Sequence, residues 1–165
     1  MSLHEPLLDG SQKAFFGCYL ENLSLIERLH RRLLDVVKDE FERLRVLEIN
    51  AVQALLIFNI AENEVTAGEL KSRGYYQGSN VSYNLKKLVE LGYMHHQRSE
   101  IDRRSVRVRL TDKGRAVRAA LTELFAKHAE TLEKRGMLGI EGMDDINRSL
   151  KRMERFWTEQ IRYIY

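Results

Sequence analysis

Cysteine and proline are nearly absent from this sequence. The 165 residues include one proline, which favours long uninterrupted helices because proline disrupts helix interiors. The one cysteine, Cys18, has no second cysteine with which to form an intrachain disulfide. No apolar run is long enough to cross a membrane, since the most apolar stretch, residues 51–61, is short and contains Asn59. The first residues also lack the basic region and apolar block of a signal peptide, so we expect a cytoplasmic protein.

The residue groupings on which catalysis usually depends are missing as well. The sequence has no recognisable pairing of a nucleophile with a base, no phosphate-binding glycine loop, and no Cys-x-x-Cys or His-x-x-x-His spacing. His95 and His96 are adjacent, and on a strand their side chains would point to opposite faces, which disfavours a shared metal ion. We therefore expect neither an enzyme nor a cofactor or metal site.

Charge is unevenly distributed along the chain. The whole sequence has 27 Lys and Arg against 24 Asp and Glu, a formal net charge of +3. Between Lys71 and Lys113 there are ten basic and four acidic side chains, which gives this segment a charge of +6 and leaves the remainder net acidic. A positive field concentrated in one segment is typical of a nucleic-acid binding surface.

An amphipathic helix is predicted from about Ser79 to Gly92. Val81, Leu85, Leu88 and Val89 recur at helical spacing and would face a core. Gly92 would end the helix as a C-cap. The opposite face is expected to carry short hydrogen-bonding side chains first and lysines further on, namely Ser79, Asn80, Ser82, Tyr83, Asn84, Lys86 and Lys87.

A two-stranded hairpin is predicted directly after this helix. Apolar residues alternate with serine and arginine over residues 105–110, as a half-buried strand requires, and residues 93–98 are a suitable antiparallel partner. The connecting residues 99–104 are too many for a tight turn, so they should project and present Arg103 and Arg104.

These residues resemble the MarR-type winged helix-turn-helix transcription regulators. The similarity is strongest in two motifs, Asp102-Arg103-Arg104 in the wing and the strand-to-helix junction Leu110-Thr111-Asp112-Lys113-Gly114. The resemblance implies that Arg104 enters a DNA minor groove and that Asp102 orients it. Arg103 is then expected to contact a phosphate.

Long helices are predicted on both sides of this region. An apolar seam predicts a helix from about Ser11 to Leu44, residues 51–61 predict a buried central helix, and Thr66-Ala67-Gly68-Glu69 has the form of a capping box. A further helix should begin after Thr111 as its N-cap, break over residues 135–142, and be followed by a last amphipathic helix. Pairing of the terminal helices with those of a second copy would bury their apolar stripes and give a homodimer.

The fold class expected is therefore mainly α with a small β wing, a winged helix-turn-helix domain flanked by long N- and C-terminal dimerisation helices. We assign residues 11–47 to the N-terminal dimerisation helix and 48–114 to the DNA-binding lobe. Residues 115–165 would complete the dimerisation region.

Contacts with double-stranded DNA are assigned to the polar helix face. Ser79, Asn80, Ser82, Tyr83 and Asn84 are expected to contact base edges or adjacent phosphates, with Lys86 and Lys87 mainly electrostatic. The alternatives are that the two lysines are ordinary solvated side chains and that Tyr83 packs against the neighbouring helix.

Regulation by a small aromatic or phenolic effector is implied by the resemblance. His30 and His128 occupy apolar-register positions and are candidate ligand contacts, although hydrogen-bonded interfacial histidines are the preferred interpretation. Cys18 is a candidate redox sensor; the preferred alternative is a small buried residue at the dimer seam, because no cationic neighbour is evident in the sequence.

The function predicted is that of a sequence-specific transcription regulator that binds a pseudo-palindromic operator as a homodimer. Repression is the default expectation, because occlusion of a promoter requires no further protein surface. The alternative is a protein-interaction module that keeps the winged fold without specific DNA binding.

Overall fold

The architecture is mainly helical with one small antiparallel sheet, as the sequence predicts. The computed structural model describes residues 9–60, 65–72, 78–98 and 106–162. The chain divides into two compact units, and the boundary falls between Arg118 and Ala119. The elements are α1 (Gly10–Arg43), α2 (Ala51–Asn59), β1 (Val65–Thr66), α3 (Ala67–Ser72), α4 (Gly78–Glu90), β2 (Met94–Arg98), β3 (Val106–Leu110), α5 (Asp112–Lys134) and α6 (Ile140–Arg162).

Helix α1 begins and ends close to its predicted boundaries, and local hydrogen bonds define both ends. Asp9 and Gln12 form a capping box, in which the Gln12 backbone N–H donates to Asp9 Oδ1 at 2.8 Å. At the other end, Arg45 adopts the left-handed conformation with φ 56°. The Arg45 and Val46 backbone N–H groups then close the last turn, as glycine-terminated helices usually do.

Helix α2 is the buried central helix that the apolar stretch predicts. Ala54, Leu56 and Ile57 are buried, and Ile60 immediately after the helix is fully buried. Asn50 caps its start through a reciprocal pair of hydrogen bonds with Gln53. The helix ends two residues before the predicted boundary, at Asn59.

The predicted capping box at Thr66 is present at the start of α3. The Glu69 backbone N–H donates to Thr66 Oγ1 at 3.1 Å, and the Thr66 backbone N–H donates to Glu69 Oε2 at 2.9 Å. The sequence does not predict strand β1, because two residues are too few to show alternation. This strand pairs with β3 through Val65 opposite Val108 and Thr66 opposite Arg107.

Helix α4 packs its apolar face into the core and ends at Glu90, and the predicted Gly92 closes the turn that follows. Val81, Leu85 and Leu88 are buried. Gly92 has φ +83°, and its N–H donates to the Val89 carbonyl while the following N–H, of Tyr93, donates to the Leu88 carbonyl. This left-handed turn carries the chain directly from α4 to the sheet.

The sheet has the strand order β1-β3-β2, and all of its pairings are antiparallel. The β2 and β3 register places Met94 opposite Leu110 and His96 opposite Val108. Met94, Val108 and Leu110 are buried, so this face of the sheet covers the core. Tyr93, predicted as the first strand residue, lies just before β2 and is also buried.

Two long helices form the second unit, which begins within α5 at Ala119. The predicted break follows α5, where Gly136 has φ +63° and ends the helix in the same manner as Gly92. Helix α6 then begins at Ile140, inside the segment predicted to be irregular. No helix within the described ranges has both the length and the apolarity needed to cross a membrane.

Candidate nucleic-acid interface

One face of α4 is exposed and consists of polar and basic side chains. Asn80, Ser82, Tyr83, Lys86 and Lys87 are all exposed on it. Ser79 lies in the first turn of α4, although its side chain lies outside the described residues. Because the opposite face fills the core, α4 is held with its hydrogen-bonding side chains directed outward. Such a helix can place donors and acceptors against base edges in a major groove.

Tyr83 extends into solvent. Its side chain is 67% exposed, which is inconsistent with close packing against a neighbouring helix of the same chain. A tyrosine in this position presents both a ring and a hydroxyl for contact with a base or a phosphate.

The expectation that Asn84 lies on the outer face is wrong. Asn84 is only 9% exposed, and its Oδ1 accepts a hydrogen bond from Gln53 Nε2 at 3.2 Å. Its position follows from helical geometry, since Asn84 falls three residues after Val81 and four before Leu88 and therefore lies on the apolar face. Asn84 thus joins α4 to α2 and is removed from the set of outward-facing contacts.

The wing motif lies outside the described residues. Asp102, Arg103 and Arg104 belong to residues 99–105, between the end of β2 and the beginning of β3. Their assigned contacts with DNA consequently remain predictions.

A polar cluster of Glu48, Tyr93 and Lys113 is not evident from the sequence. The Tyr93 hydroxyl donates to Glu48 Oε1, and Lys113 Nζ forms an ion pair with the same oxygen at 2.6 Å. Lys113 also donates to the Leu91 carbonyl at 3.0 Å and lies over the Tyr93 ring, with Nζ 4.3 Å from its centroid. The cluster therefore joins the loop before α2, the turn after α4 and the first turn of α5.

The same cluster changes the acidity of two of its members. The hydrogen bond from Lys113, followed by the one from Tyr93, holds the pKa of Glu48 below its ordinary value. Burial, followed by the hydrogen bond to the Glu48 carboxylate, raises the pKa of Tyr93. Both shifts favour an ionised Glu48 that accepts a hydrogen bond from a neutral Tyr93 at neutral pH.

Thr111 and Gly114 connect the end of β3 to the turn after α4. Thr111 Oγ1 accepts from the Gly114 backbone N–H at 3.1 Å, which confirms the predicted N-cap, and it also donates to the Gly92 carbonyl at 2.7 Å. A Cβ at Gly114 would collide with the Tyr93 carbonyl oxygen. The Leu-Thr-x-x-Gly motif therefore permits a close backbone approach that fixes the first turn of α5 against the turn after α4.

The candidate effector and redox residues are exposed in the single chain. His30 on α1 and His128 on α5 belong to different units, and each side chain is exposed. Cys18 is an exposed free thiol. His95 and His96 border one surface concavity of about 330 Å³. Within the parts of the chain that the structure describes, no three His, Cys, Asp or Glu side chains are grouped so that they could hold a metal ion.

Comparison with known proteins agrees with this arrangement. A family described as "Winged helix DNA-binding domain" matches residues 49–114. The exopolysaccharide II synthesis transcriptional activator ExpG of Rhizobium meliloti (strain 1021) is 36% identical over 161 residues, covering 98% of this chain and 82% of the relative.

Solved structures share the fold at lower sequence identity. A MarR transcriptional regulator from Methanosarcina mazei Go1 superposes with a TM-score of 0.67 at 23% identity, covering 82% of this chain and 95% of that one. Streptococcus pneumoniae FabT in complex with DNA gives a TM-score of 0.65 at 22% identity, covering 86% and 99%. The exposed polar face of α4, the strands that follow it and the relative that aligns with 98% of this chain together lead to one conclusion. This chain belongs to the MarR family of winged helix-turn-helix transcriptional regulators, and it is a DNA-binding protein and not an enzyme.

Proposed function

We propose that this regulator recognises a specific pseudo-palindromic operator as a homodimer. The observation that carries the proposal is the exposed polar face of α4, opposite the buried Val81, Leu85 and Leu88. Two copies related by a two-fold axis would present two such helices to successive major grooves, about one helical turn of DNA apart.

The residues on α4 divide into two roles. Asn80, Ser82 and Tyr83 would contact base edges or adjacent phosphates, with Ser79 at the start of the helix. Lys86 and Lys87 would neutralise phosphates, since their flexible charged chains suit electrostatic contact better than base discrimination. In the wing, Arg104 would enter the minor groove with Asp102 orienting it, and Arg103 would contact a phosphate.

Exposed apolar side chains on the terminal helices support the homodimer. In the first unit, α1 exposes Phe16 and Leu33 on its apolar seam, and in the second unit α6 exposes Met143, Ile146, Leu150 and Ile161 on one stripe. Apolar stripes of this length are rarely left uncovered on a monomeric protein. Pairing of both helices with their equivalents in a second copy would cover them.

The sign of regulation is proposed to be activation. Repression is the default expectation from the sequence, but the relative from Rhizobium meliloti is named a transcriptional activator and aligns with almost the whole chain. A promoter-reporter assay with and without the gene for this protein distinguishes the two. A fall in reporter output when the gene is removed supports activation, and a rise supports repression.

Release of the operator by a small aromatic or phenolic effector completes the proposal. His30 and His128 are the candidate contacts, and both are accessible in the single chain. Titration of operator complexes with a panel of phenols and benzoates measures the effect, and replacement of either histidine by glutamine should weaken the response. An oxidant titration of the wild-type protein and Cys18→Ser tests the redox alternative in the same assay.

Selection from a random duplex pool tests the proposed operator recognition. Purified protein is incubated with the pool at several salt concentrations, and the retained duplexes are sequenced. Enrichment of an inverted repeat with a steep salt dependence is the expected result. Retention without an enriched motif would indicate nonspecific binding, and no retention at low salt would favour the protein-interaction module.

A further inference from the structure

Helices α2 and α4 are joined by a hydrogen bond between two buried amides. Gln53 Nε2 donates to Asn84 Oδ1 at 3.2 Å, across 31 positions of the chain. Gln53 is 6% exposed and Asn84 is 9% exposed, and among the residues that the structure describes these are the two buried polar side chains. A buried amide destabilises the fold unless it is hydrogen-bonded, so two apolar side chains would serve equally well if the contact only filled the core.

The capping box of α2 determines which way the Gln53 amide points. The Asn50 backbone N–H donates to Gln53 Oε1 at 3.0 Å, and the Gln53 backbone N–H donates to Asn50 Oδ1 at 2.8 Å. Because the oxygen of the Gln53 amide is used at the cap, its NH2 group faces Asn84, where only the oxygen of the Asn84 amide can accept. The three residues therefore form one directed chain of hydrogen bonds from the start of α2 to α4.

Asn84 lies at the boundary between the buried and the exposed faces of α4. Val81 and Leu88, three residues before it and four after it, are fully buried. Asn80 and Lys87, four residues before it and three after it, are exposed. The amide hydrogen bond therefore holds α4 one helical turn from side chains that are proposed to contact DNA.

We propose that Gln53 and Asn84 are positioning residues for operator recognition, because their hydrogen bond sets the rotation of α4 about its own axis. This inference rests on the proposed function, since it concerns the same recognition helix. Apolar packing is non-directional, whereas a hydrogen bond weakens steeply as its angle departs from linearity. The bond between the two amides is thus the contact that can distinguish one rotation of α4 from another.

A small rotation of α4 would be enough to disturb base recognition. A helix with its side chains has a radius of about 5–6 Å, so a rotation of about 20° would move the tip of a side chain by about 2 Å. A displacement of that size would break a hydrogen bond to a base edge. A flexible lysine could follow a phosphate over the same distance, so the electrostatic part of DNA binding would survive.

Replacement of both amides by apolar side chains of similar shape separates positioning from stability. Gln53→Met or Asn84→Leu alone leaves one buried amide without its partner, so each single variant should unfold at a lower urea concentration than wild-type protein. The double variant Gln53→Met/Asn84→Leu removes both amides and should recover most of that loss, since the exposed Asn50 can bind water at the cap. Operator recognition should not recover, because apolar side chains can pack at more than one rotation of α4.

The ratio of two DNA affinities measures this recognition in the full-length protein. Affinities for the selected operator and for a scrambled duplex are determined at several salt concentrations, together with urea unfolding of the same proteins. The double variant should lose about tenfold in the ratio of the two affinities, which is comparable to the effect of one mismatched base pair. Its affinity for the scrambled duplex and its slope of log K against log salt should equal those of wild-type protein, because no charge has changed.

Ile57→Val is the matched control for stability. Ile57 is fully buried on α2, and the substitution removes one methylene group from the core while both amides stay in place. This variant should unfold at a lower urea concentration than wild-type protein and should keep the wild-type affinity ratio. If the double variant recovers its stability only in part, the control shows what a loss of stability alone does to the ratio.

Three results would overturn the inference while operator recognition stands. The first is a double variant with the wild-type affinity ratio. The second is an equal loss of affinity for both duplexes, which would indicate a general loss of DNA binding and not a misdirected helix. The third is an affinity ratio that follows the urea midpoint across all variants, Ile57→Val included. If wild-type protein itself did not distinguish the operator from the scrambled duplex, both proposals would be refuted.

Discussion

Asn80 and Asn84 lie one turn apart on α4 but have different surroundings. Asn80 is exposed, whereas Asn84 is buried and accepts a hydrogen bond from Gln53. Removing the Asn84 side chain would leave the Gln53 amide buried without this acceptor. We expect Asn84→Ala to lower the free energy of unfolding by about 1–3 kcal/mol.

Asn80→Ala is the matched control for this prediction. An exposed substitution of the same type should change the free energy of unfolding by less than about 0.5 kcal/mol but should relax operator sequence preference. Urea unfolding and binding selection are measured on both variants. Equal stability of the two would contradict the structural role of Asn84, and an unchanged sequence preference for Asn80→Ala would contradict its contact with DNA.

Gly114 is a helical glycine at which a single added methyl group should be destabilising. Alanine normally stabilises a helix relative to glycine by about 1 kcal/mol, but at this position its Cβ would meet the Tyr93 carbonyl oxygen, a backbone atom that cannot move without shifting the turn. We expect Gly114→Ala to lower the free energy of unfolding by about 1–3 kcal/mol.

The corresponding variant at Gly68 has space for the added methyl group. Its Cβ would lie 3.7 Å from Thr66 Oγ1, an ordinary contact. Gly68→Ala should therefore leave the unfolding free energy unchanged or raise it by up to about 1 kcal/mol. Chemical denaturation compares the two, and equal effects would show that the Gly114 contact is not restrictive.

Helix ends at Arg45 and Gly92 use the same backbone geometry with different residues. Both have positive φ, at 56° and 83°, and both are followed by the same pair of backbone hydrogen bonds. A residue with a side chain is destabilised by about 1–2 kcal/mol in this conformation. Glycine avoids that strain, but it loses more conformational entropy on folding, which offsets part of the advantage.

Exchange of residue type at these two ends should therefore have opposite effects. Arg45→Gly should raise the free energy of unfolding by about 0.5–1 kcal/mol, and Gly92→Ala should lower it by about 1 kcal/mol. Both are measured by thermal and urea unfolding. A stabilising Gly92→Ala would show that the turn after α4 does not require the left-handed conformation.

Elements with a long hydrophobic repeat can be predicted from the sequence to within a residue or two. The apolar seam predicts helix α1 over residues 11–44, and the helix is observed at Gly10–Arg43. Strand β1 cannot be predicted in this way, because its two residues are defined only by pairing with β3. The prediction for Asn84 is wrong because it weights the polarity of the residue above its spacing from Val81 and Leu88.

The Glu48 cluster cannot be predicted from sequence patterns either, because, like strand β1, it is defined by contacts between distant segments. Glu48, Tyr93 and Lys113 are far apart in the chain, and no periodicity relates positions on three different segments. Only the Thr111 cap gives a local signal at this junction. The three segments come together because the α4 turn and the β3-to-α5 junction fold against each other.

Lowering the pH should weaken the contacts that Glu48 makes with Tyr93 and Lys113. Its pKa is lowered in the folded protein, so its stabilising contribution is present above the ordinary carboxyl value of 4.5 and is lost as pH falls through the folded value. The difference in unfolding free energy between wild-type protein and Glu48→Gln should therefore be largest near neutrality and should shrink as the pH falls below 4.5.

Urea unfolding from neutral to acidic pH measures this difference. Glu130→Gln is the control, because it removes a glutamate from an exposed helical pair with Lys134. A gap between wild-type protein and Glu48→Gln that widened on acidification would contradict the expected direction. Operator affinity should also fall in Glu48→Gln if the cluster helps to hold the turn after α4.

At the scale of the whole molecule, charge and apolar surface are separated along the chain. The positive segment between Lys71 and Lys113 contains the proposed recognition helix, α4, and strands β2 and β3. The terminal helices instead expose apolar stripes. The first surface suits DNA and the second suits a further copy of the protein. Operator recognition should therefore depend on residues that never touch DNA.

Leu150 on α6 provides the test of that dependence. It is 39% exposed on the apolar stripe, and a charge there would have to be buried in the proposed dimer. We expect Leu150→Glu to be monomeric in sedimentation experiments and to bind the full operator about 10²–10⁴-fold more weakly, because the second recognition helix is no longer tethered to the first.

Two comparisons make this prediction specific to the dimer. Thr158→Glu adds the same charge to α6 away from the stripe and should leave both the oligomeric state and the operator affinity unchanged. A duplex that contains one half-site should bind Leu150→Glu as tightly as a single wild-type recognition helix does, since the DNA-binding surface itself is intact. If Leu150→Glu were monomeric but bound the full operator normally, one copy would suffice for recognition. If it remained a dimer, the α6 stripe would not be the surface on which the two copies meet.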